Sequence, residues 1–405
     1  MARRILLVHN RYQQAGGEDR VVEAEAELLR SYGHQVFCYT ESNDRIVQIG
    51  RIQAAVRTIW SHTSYRNLLK LIREERIDLC HFHNTFPLIS PSAYYAARRA
   101  GVPVVQSLHN YRVLCAGSLL MRKGKICEDC LGRNVVWPGA IRRCYRNSYS
   151  ASAVTAAMIS THRLAGTWTR AVDRYIALTQ FAREKFIKGG LPAEKIAVKP
   201  NFADKDPGPG DGGGGFALFV GRLSPEKGID TILKAWEMLP DDLPLRVAGG
   251  GPLTPDVKNA AARNPRVQWL GELPRSDIQA EMKRARFLIC ASTWYEGFPL
   301  IIVEAFAAGL PVIASDIGAL PELIADGTTG LLFRSGDAAD LTGKVQWALR
   351  HPNDVDEMRI HARREYESNY TADTNYRALM TIYEDASKIM PVPAHVQLGG
   401  ILDLP

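Results

Sequence analysis

Short apolar runs alternate with stretches of helical period along most of this chain. Residues 5–9 are apolar and read as a first buried strand. Beyond Gly16-Gly17, the apolar positions Val21, Val22, Ala26, Leu28 and Leu29 recur at roughly helical spacing, so 18–32 reads as a helix that Gly33 ends. A strand over 35–39 follows. Helix 68–75 then precedes strand 77–82, helix 93–99 precedes strand 102–107, and strands at 174–178 and 196–198 continue the series. Such alternation predicts a parallel sheet with helices on both faces.

The pattern breaks after Asn201. Pro207-Gly208-Pro209-Gly210-Asp211, followed by Gly212 to Gly215, cannot hold regular structure and reads as a flexible linker. Alternation restarts with strand 216–220, helix 228–238, strands 244–249 and 267–270, helix 276–284 and strand 287–291. A helix with Pro299 at its first position, closed by Gly309, leads to strand 312–314. Helices over 341–349, 354–367 and 372–389 follow, and the last residues read as a tail. The chain thus divides into an α/β domain over 1–200, a linker over 201–215, a second α/β domain over 216–375, and a C-terminal helix and tail over 376–405. Two doubly wound domains leave a cleft between the C-terminal ends of their strands, where open α/β sheets bind ligands.

Length supports this division, since 405 residues exceed what one hydrophobic core usually serves. The N-terminal apolar run is too short for a secretory signal and no apolar stretch reaches spanning length, so a cytoplasmic location is expected. Net charge is +7, unevenly placed. Residues 1–200 carry 30 Lys and Arg against 15 Asp and Glu, whereas 201–405 carry 20 against 28. A basic first half suits an anionic membrane surface or a phosphorylated acceptor, which adds peripheral attachment at the inner face of a membrane to the expectations.

The candidate chemistry lies on loops at predicted strand ends. Glu296 stands just before the helix opened by Pro299, and Glu304 stands about one turn inside it. A helix N-terminus attracts phosphate, and carboxylates accept hydrogen bonds from hydroxyls, so this run suits a ligand carrying both. Gly221-Arg222-Leu223-Ser224-Pro225-Glu226-Lys227-Gly228 places two cations five residues apart after the first strand of the second domain. Arg grips a diphosphate in a bidentate way and Lys serves as a point charge. Gly16-Gly17 opens the first helix and allows close approach of a ligand to backbone. No Walker P-loop or Gly-x-Gly-x-x-Gly run is present, which weighs against a nicotinamide site.

Taken together these residues resemble the GT-B glycosyltransferases, specifically the retaining family-4 enzymes with a C-terminal domain of the "glycosyl transferases group 1" type. The resemblance rests on Gly221-Arg222 with Lys227-Gly228, Gly249-Gly250-Gly251-Pro252, Glu296-Gly297-Phe298-Pro299-Leu300 with Glu304-Ala305, Gly309-Leu310-Pro311, and Gly327-Thr328-Thr329-Gly330. Gly16-Gly17 and Pro200-Asn201 extend it to the first domain. It implies a GT-B fold of two facing Rossmann-like domains and transfer of a sugar, with retention, from a nucleotide-diphosphate sugar to a glycan, lipid-linked or other hydroxyl acceptor in polysaccharide or glycolipid assembly. Arg222 and Lys227 would hold the diphosphate. Glu296 would bind the sugar beside the backbone of Gly297, Phe298 and Leu300, Glu304 the ribose, and His109 a sugar hydroxyl. Gly17 would let the diphosphate approach the first domain, and Arg112 would contact an anionic acceptor or the donor phosphate. No metal or other cofactor is implied for the chemistry.

Four of the seven cysteines, Cys115, Cys127, Cys130 and Cys144, fall in a basic segment over about 112–147. Cys127-Glu128-Asp129-Cys130 has the spacer of a metal knuckle or a reducible disulfide, and the four thiols are candidates for structural zinc. Cys38, Cys80 and Cys290 lie on predicted strands and are expected in the core. Two alternatives share these features: a GT-B nucleotide-sugar epimerase, and a zinc-containing nucleic-acid-binding protein. The phosphate and hydroxyl grips favour transfer over epimerisation, and the acidic second half argues against nucleic acid.

Overall fold

The computed structural model describes residues 2–13 and 16–389; the expected tail over 390–405 lies outside them. The first domain is a six-stranded parallel sheet of β1 (Arg4–Arg11), β2 (Gln35–Ser42), β3 (Leu79–Asn84), β4 (Val104–Leu108), β5 (Arg174–Ala177) and β6 (Ile196–Val198), in the order β2-β1-β3-β4-β5-β6. The second repeats the plan with β7 (Ala217–Val220), β8 (Leu245–Ala248), β9 (Val267–Gly271), β10 (Phe287–Cys290), β11 (Val312–Asp316) and β12 (Gly330–Arg334), in the order β9-β8-β7-β10-β11-β12. Both sheets are doubly wound, as expected. The strand order reverses beside β1 in the first domain and beside β7 in the second, and those points face the cleft.

Alternation along each strand divides the core into two layers. In the first domain Leu6, Val8, Cys80 and Phe82 face one side. Ile5, Leu7, Leu79, Val105 and Ile176 face the other, against Ala26 and Leu29 of α1 (Gly17–Ser31). That second layer is finished from the far end of the chain: α6 (Ala372–Lys388) lays Leu379, Ile382, Tyr383 and Ala386 onto it. Tyr376 stacks on Tyr32 with centroids 3.6 Å apart and bonds His34 Nε2 at 2.9 Å. The last helix therefore belongs to the core of the first domain, not to the domain that precedes it in sequence.

Four expectations are corrected. Pro299 sits at the N-cap of α4 (Leu300–Ala307), one place before the position assigned to it, with φ −76° and ψ 100°. The linker is irregular but pinned: Gly210, Gly212 and Gly214 donate their N–H groups to Ala308, Lys283 and Arg284, so it lies fixed along the second domain. Pro352 opens α5 (Pro352–Asn369) and does not merely separate two helices. Cys80 and Cys290 are buried, but Cys38 is exposed, because β2 is an edge strand and its sulfur faces out beside Arg30.

Among the described residues no helix is long and apolar enough to cross a membrane.

Candidate active site

The second-domain wall begins at the loop after β7. Arg222 is exposed there, and Lys227 closes a short 3-10 turn that Gly228 ends in a left-handed conformation. Lys227 Nζ reaches Glu296 Oε1 at 2.6 Å, and Ser292 Oγ donates to the same oxygen at 2.6 Å. Burial opposes the Lys227 charge, but the Glu296 carboxylate outweighs it and raises the lysine above its usual range. Glu296 itself is 5% exposed. The loop then turns into α4, and among the described residues the N–H groups of Gly297 and Phe298 find no partner in the chain. The Phe298 side chain packs into the core near Tyr370, so only its backbone faces the site.

Glu304 follows on α4, with Arg275 Nη2 at 3.5 Å and Arg20 Nη1 of the first domain at 3.9 Å. Burial raises its carboxyl above the usual range, against the pull of the two arginines. Arg275 also forks onto Asp204 in the segment leaving the first domain. Across the cleft, Gly17 faces Leu300: a Cβ on Gly17 would lie 3.6 Å from Leu300 Cδ1. Gly16 caps α1, and Asp19 ties that end down, accepting from Gly16 N–H at 2.8 Å and pairing with His9 Nε2 at 2.8 Å. The two helix N-termini thus meet at the cleft. The domains also approach closely at Gly297, where a Cβ would lie 2.6 Å from the His109 carbonyl oxygen.

His109 follows β4 directly and is the end of a buried polar chain that the sequence did not announce. Its Nε2 lies 2.9 Å from His83 Nδ1. His83 Nε2 lies 3.4 Å from Glu25 Oε1, and Glu25 also meets His81 Nδ1 at 2.9 Å and Lys199 Nζ at 3.4 Å. Despite its burial, Glu25 is held well below the usual carboxylate range by His81 and Lys199. Burial lowers His83 to about 3 and takes His109 well below its ordinary value, so both rings are neutral near pH 7. His83 Nε2 and Glu25 Oε1 make no hydrogen bond, but the carboxylate's charge favours the tautomer with the proton on that nitrogen. In that tautomer His83 Nδ1 accepts from His109 Nε2–H, and His109 Nδ1 is left as a hydrogen-bond acceptor. Glu25, His81 and His83 could hold a metal, their ligand atoms lying within 4.8 Å of one another, but Lys199 already supplies the positive charge that Glu25 needs. The readable signal was His-x-His on an apolar strand, which puts both rings on one face.

Glu18 was also missed, although it follows Gly16-Gly17 directly. Tyr12 OH donates to its Oε2 at 3.1 Å and Asn110 Nδ2 does so at 3.3 Å. Burial lifts its carboxyl to about 7.

Arg112 packs against side chains of its own domain. Its guanidinium lies 4.3 Å from the Phe86 ring centroid and 4.8 Å from that of Tyr145, and it donates to the Ala116 carbonyl. Those contacts brace the 112–147 segment, and they engage one of the guanidinium's five N–H donors.

Cys115, Cys127, Cys130 and Cys144 do come together, lining one small cavity with Asp129 and Arg142. Burial, with the neighbouring thiol of Cys115, pushes Cys130 up to about 12. A second pocket of about 210 Å³ runs along α1 beside β1 and β2, from His9 and Asp19 to Arg30 and Cys38.

Comparison with known proteins decides the family. The description "Glycosyltransferase Family 4" matches residues 15–206, and "Glycosyl transferases group 1" matches residues 203–365. The chain belongs to the family-4, group 1 glycosyltransferases. The phosphatidyl-myo-inositol mannosyltransferase of Mycobacterium leprae is 26% identical over 398 residues, 92% of this chain and 95% of that one. The D-inositol 3-phosphate glycosyltransferase of Corynebacterium kroppenstedtii is 34% identical over 200 residues, 45% of this chain and 42% of that one. This chain thus spans under two thirds of the length of several curated relatives that it matches. The family's GT-B fold is present throughout: HepE of Anabaena, crystallised with UDP, superposes with a TM-score of 0.67 at 17% identity, covering 94% of this chain and 99% of that one.

Proposed function

We propose that this protein transfers a glycosyl group, with retention, from a nucleotide-diphosphate sugar to a hydroxyl of a glycan or lipid-linked acceptor, in polysaccharide or glycolipid assembly. The observation that carries the reading is the Lys227–Glu296 pair beside the unpartnered N–H groups at the start of α4. A nucleoside diphosphate gains negative charge as it leaves, and fixed cations with a helix N-terminus stabilise that charge without reorganising. Arg222 and Lys227 take the diphosphate in this reading, Glu296 the sugar and Glu304 the ribose, with His109 Nδ1 accepting from a sugar hydroxyl. The UDP and UDP-glucose bound by HepE support a donor of this class. Both cations come from the chain itself, so the chemistry proceeds without a metal cofactor. The basic first domain supports attachment to an anionic membrane face, with the protein in the cytoplasm.

Thermal stabilisation by UDP-, GDP-, ADP- and dTDP-sugars tests the donor class, since a ligand raises apparent stability by RT ln(1 + [L]/Kd). The selected donor should give a glycoside of unchanged anomeric configuration by NMR, with turnover intact in EDTA. Stabilisation by none of the four, or an inverted product, would overturn the reading. An epimerase would instead give an isomerised sugar and no glycoside. Flotation with anionic liposomes tests the membrane contact, and no binding at low salt counts against it.

A further inference from the structure

The 112–147 segment threads out of β4 and returns with little regular structure. It contains a two-residue hairpin of Met121–Arg122 with Lys125–Ile126, then a five-residue helix Trp137–Ile141. Its four cysteines nevertheless converge. The cavity they line is about 10 Å³, close to one water-sized sphere. A Cβ on Gly117 would lie 3.8 Å from Cys115 Sγ and 3.7 Å from Cys144 Cβ, and one on Gly139 would lie 3.8 Å from Cys130 Sγ. All four thiols are free. The sulfurs stand wider than the Glu25, His81 and His83 ligand atoms, so an ion must draw them in by rotation of the cysteine side chains. Four thiolates around one divalent ion make a tetrahedral soft-ligand site, the preference of zinc, with a net charge of about −2. Arg142 and Asp129 pair with each other on the rim of the same cavity.

The Cys127–Cys130 turn also reaches the cleft. Glu128 between them meets Lys185 Nζ at 2.5 Å and Lys188 Nζ at 3.3 Å, both on α2 (Gln180–Lys188). Lys185 Nζ lies 4.9 Å from the ring centroid of Tyr295, the residue before Glu296. We propose that Cys115, Cys127, Cys130 and Cys144 bind one zinc ion as a four-thiolate structural site, and that the turn it fixes steadies the Glu296 loop through Glu128 and Lys185.

Zinc in the purified full chain should be about one equivalent, absent from the Cys127→Ser/Cys130→Ser variant and retained in Cys38→Ser. Should the double variant fail to fold, cobalt(II) added to chelator-stripped wild-type protein gives the second reading: thiolate-to-cobalt charge transfer with tetrahedral d–d bands. Less than about a tenth of an equivalent of zinc together with no such spectrum overturns the site, as do two disulfides found by mass spectrometry in the freshly isolated protein. Stripping the metal should raise amide exchange both across 112–147 and at Tyr295 to Gly297. A rise confined to 112–147 overturns the steadying role.

Discussion

Lys227 Nζ and Glu296 Oε1 lie 2.6 Å apart, so the cation assigned to the donor's diphosphate is held by the acid assigned to its sugar. An incoming donor must take over both ends of this pair. Glu296→Gln keeps the shape and frees the lysine, so donor affinity should change little while turnover falls about 100-fold. Lys227→Ala should lose about 100- to 1000-fold in turnover, the usual cost of removing one preorganised charge stabiliser. Nucleotide release under saturating donor measures both, and losses under fivefold in both variants would sink the assignment.

Gly297 lies against the first domain, and a methyl there would meet the His109 carbonyl oxygen at 2.6 Å. Gly297→Ala should fold normally yet hold the cleft ajar. The expected result is a drop of about tenfold or more in turnover, since a displacement of about 1 Å at a reacting centre costs that much or more. Small-angle scattering with donor bound should show a larger radius of gyration than wild type.

Glu18 gives a pH signature. Its folded value of about 7 exceeds the unfolded 4.5, so the folded state binds the extra proton between them. Stability due to this group therefore falls as pH rises from 4.5 to 7, by up to about 3 kcal/mol, and stays low above that. Glu18→Gln should match wild type near pH 4 and exceed it near pH 8 in urea unfolding. Parallel pH profiles for the two proteins would refute this.

The strands were legible because central parallel strands are buried on both faces and read as apolar runs. Helices Tyr149–Leu164 and Thr254–Arg263 were not: the first is rich in Ala, Ser and Thr, and the second buries only Val257 and Ala260. Neither presents a clear stripe. Glu296, Lys227 and Glu304 stood out because they lie in short local motifs. The Glu25–His81–His83–His109 chain did not, because its members meet only after α1, β3 and β4 assemble. The same limit hid Arg112, whose ring partners Phe86 and Tyr145 lie 26 and 33 residues away in sequence.

Leu379 lies in α6, yet its side chain is fully buried in the first domain's core. Leu379→Ala should cost about 2–5 kcal/mol and loosen β1 and β4 before any strand of the second domain. Hydrogen exchange resolves the two domains; faster exchange in β7 and β10 alone would contradict the packing.

The return of α6 means that the chain crosses between domains twice, once in the pinned linker and once at Tyr370–Thr371 between α5 and α6. The two crossings run side by side, Ala203 N–H donating to the Tyr370 carbonyl at 3.3 Å and Asn375 Nδ2 to the Pro200 carbonyl at 2.7 Å, so they form one paired hinge. Two paired segments resist twisting more than a single segment would, so opening of the cleft is carried at this one place. A closure that brings Gly17 back to Leu300 and Gly297 back to His109 turns about that hinge, so the helix that ends the chain helps to set the registry of the cleft.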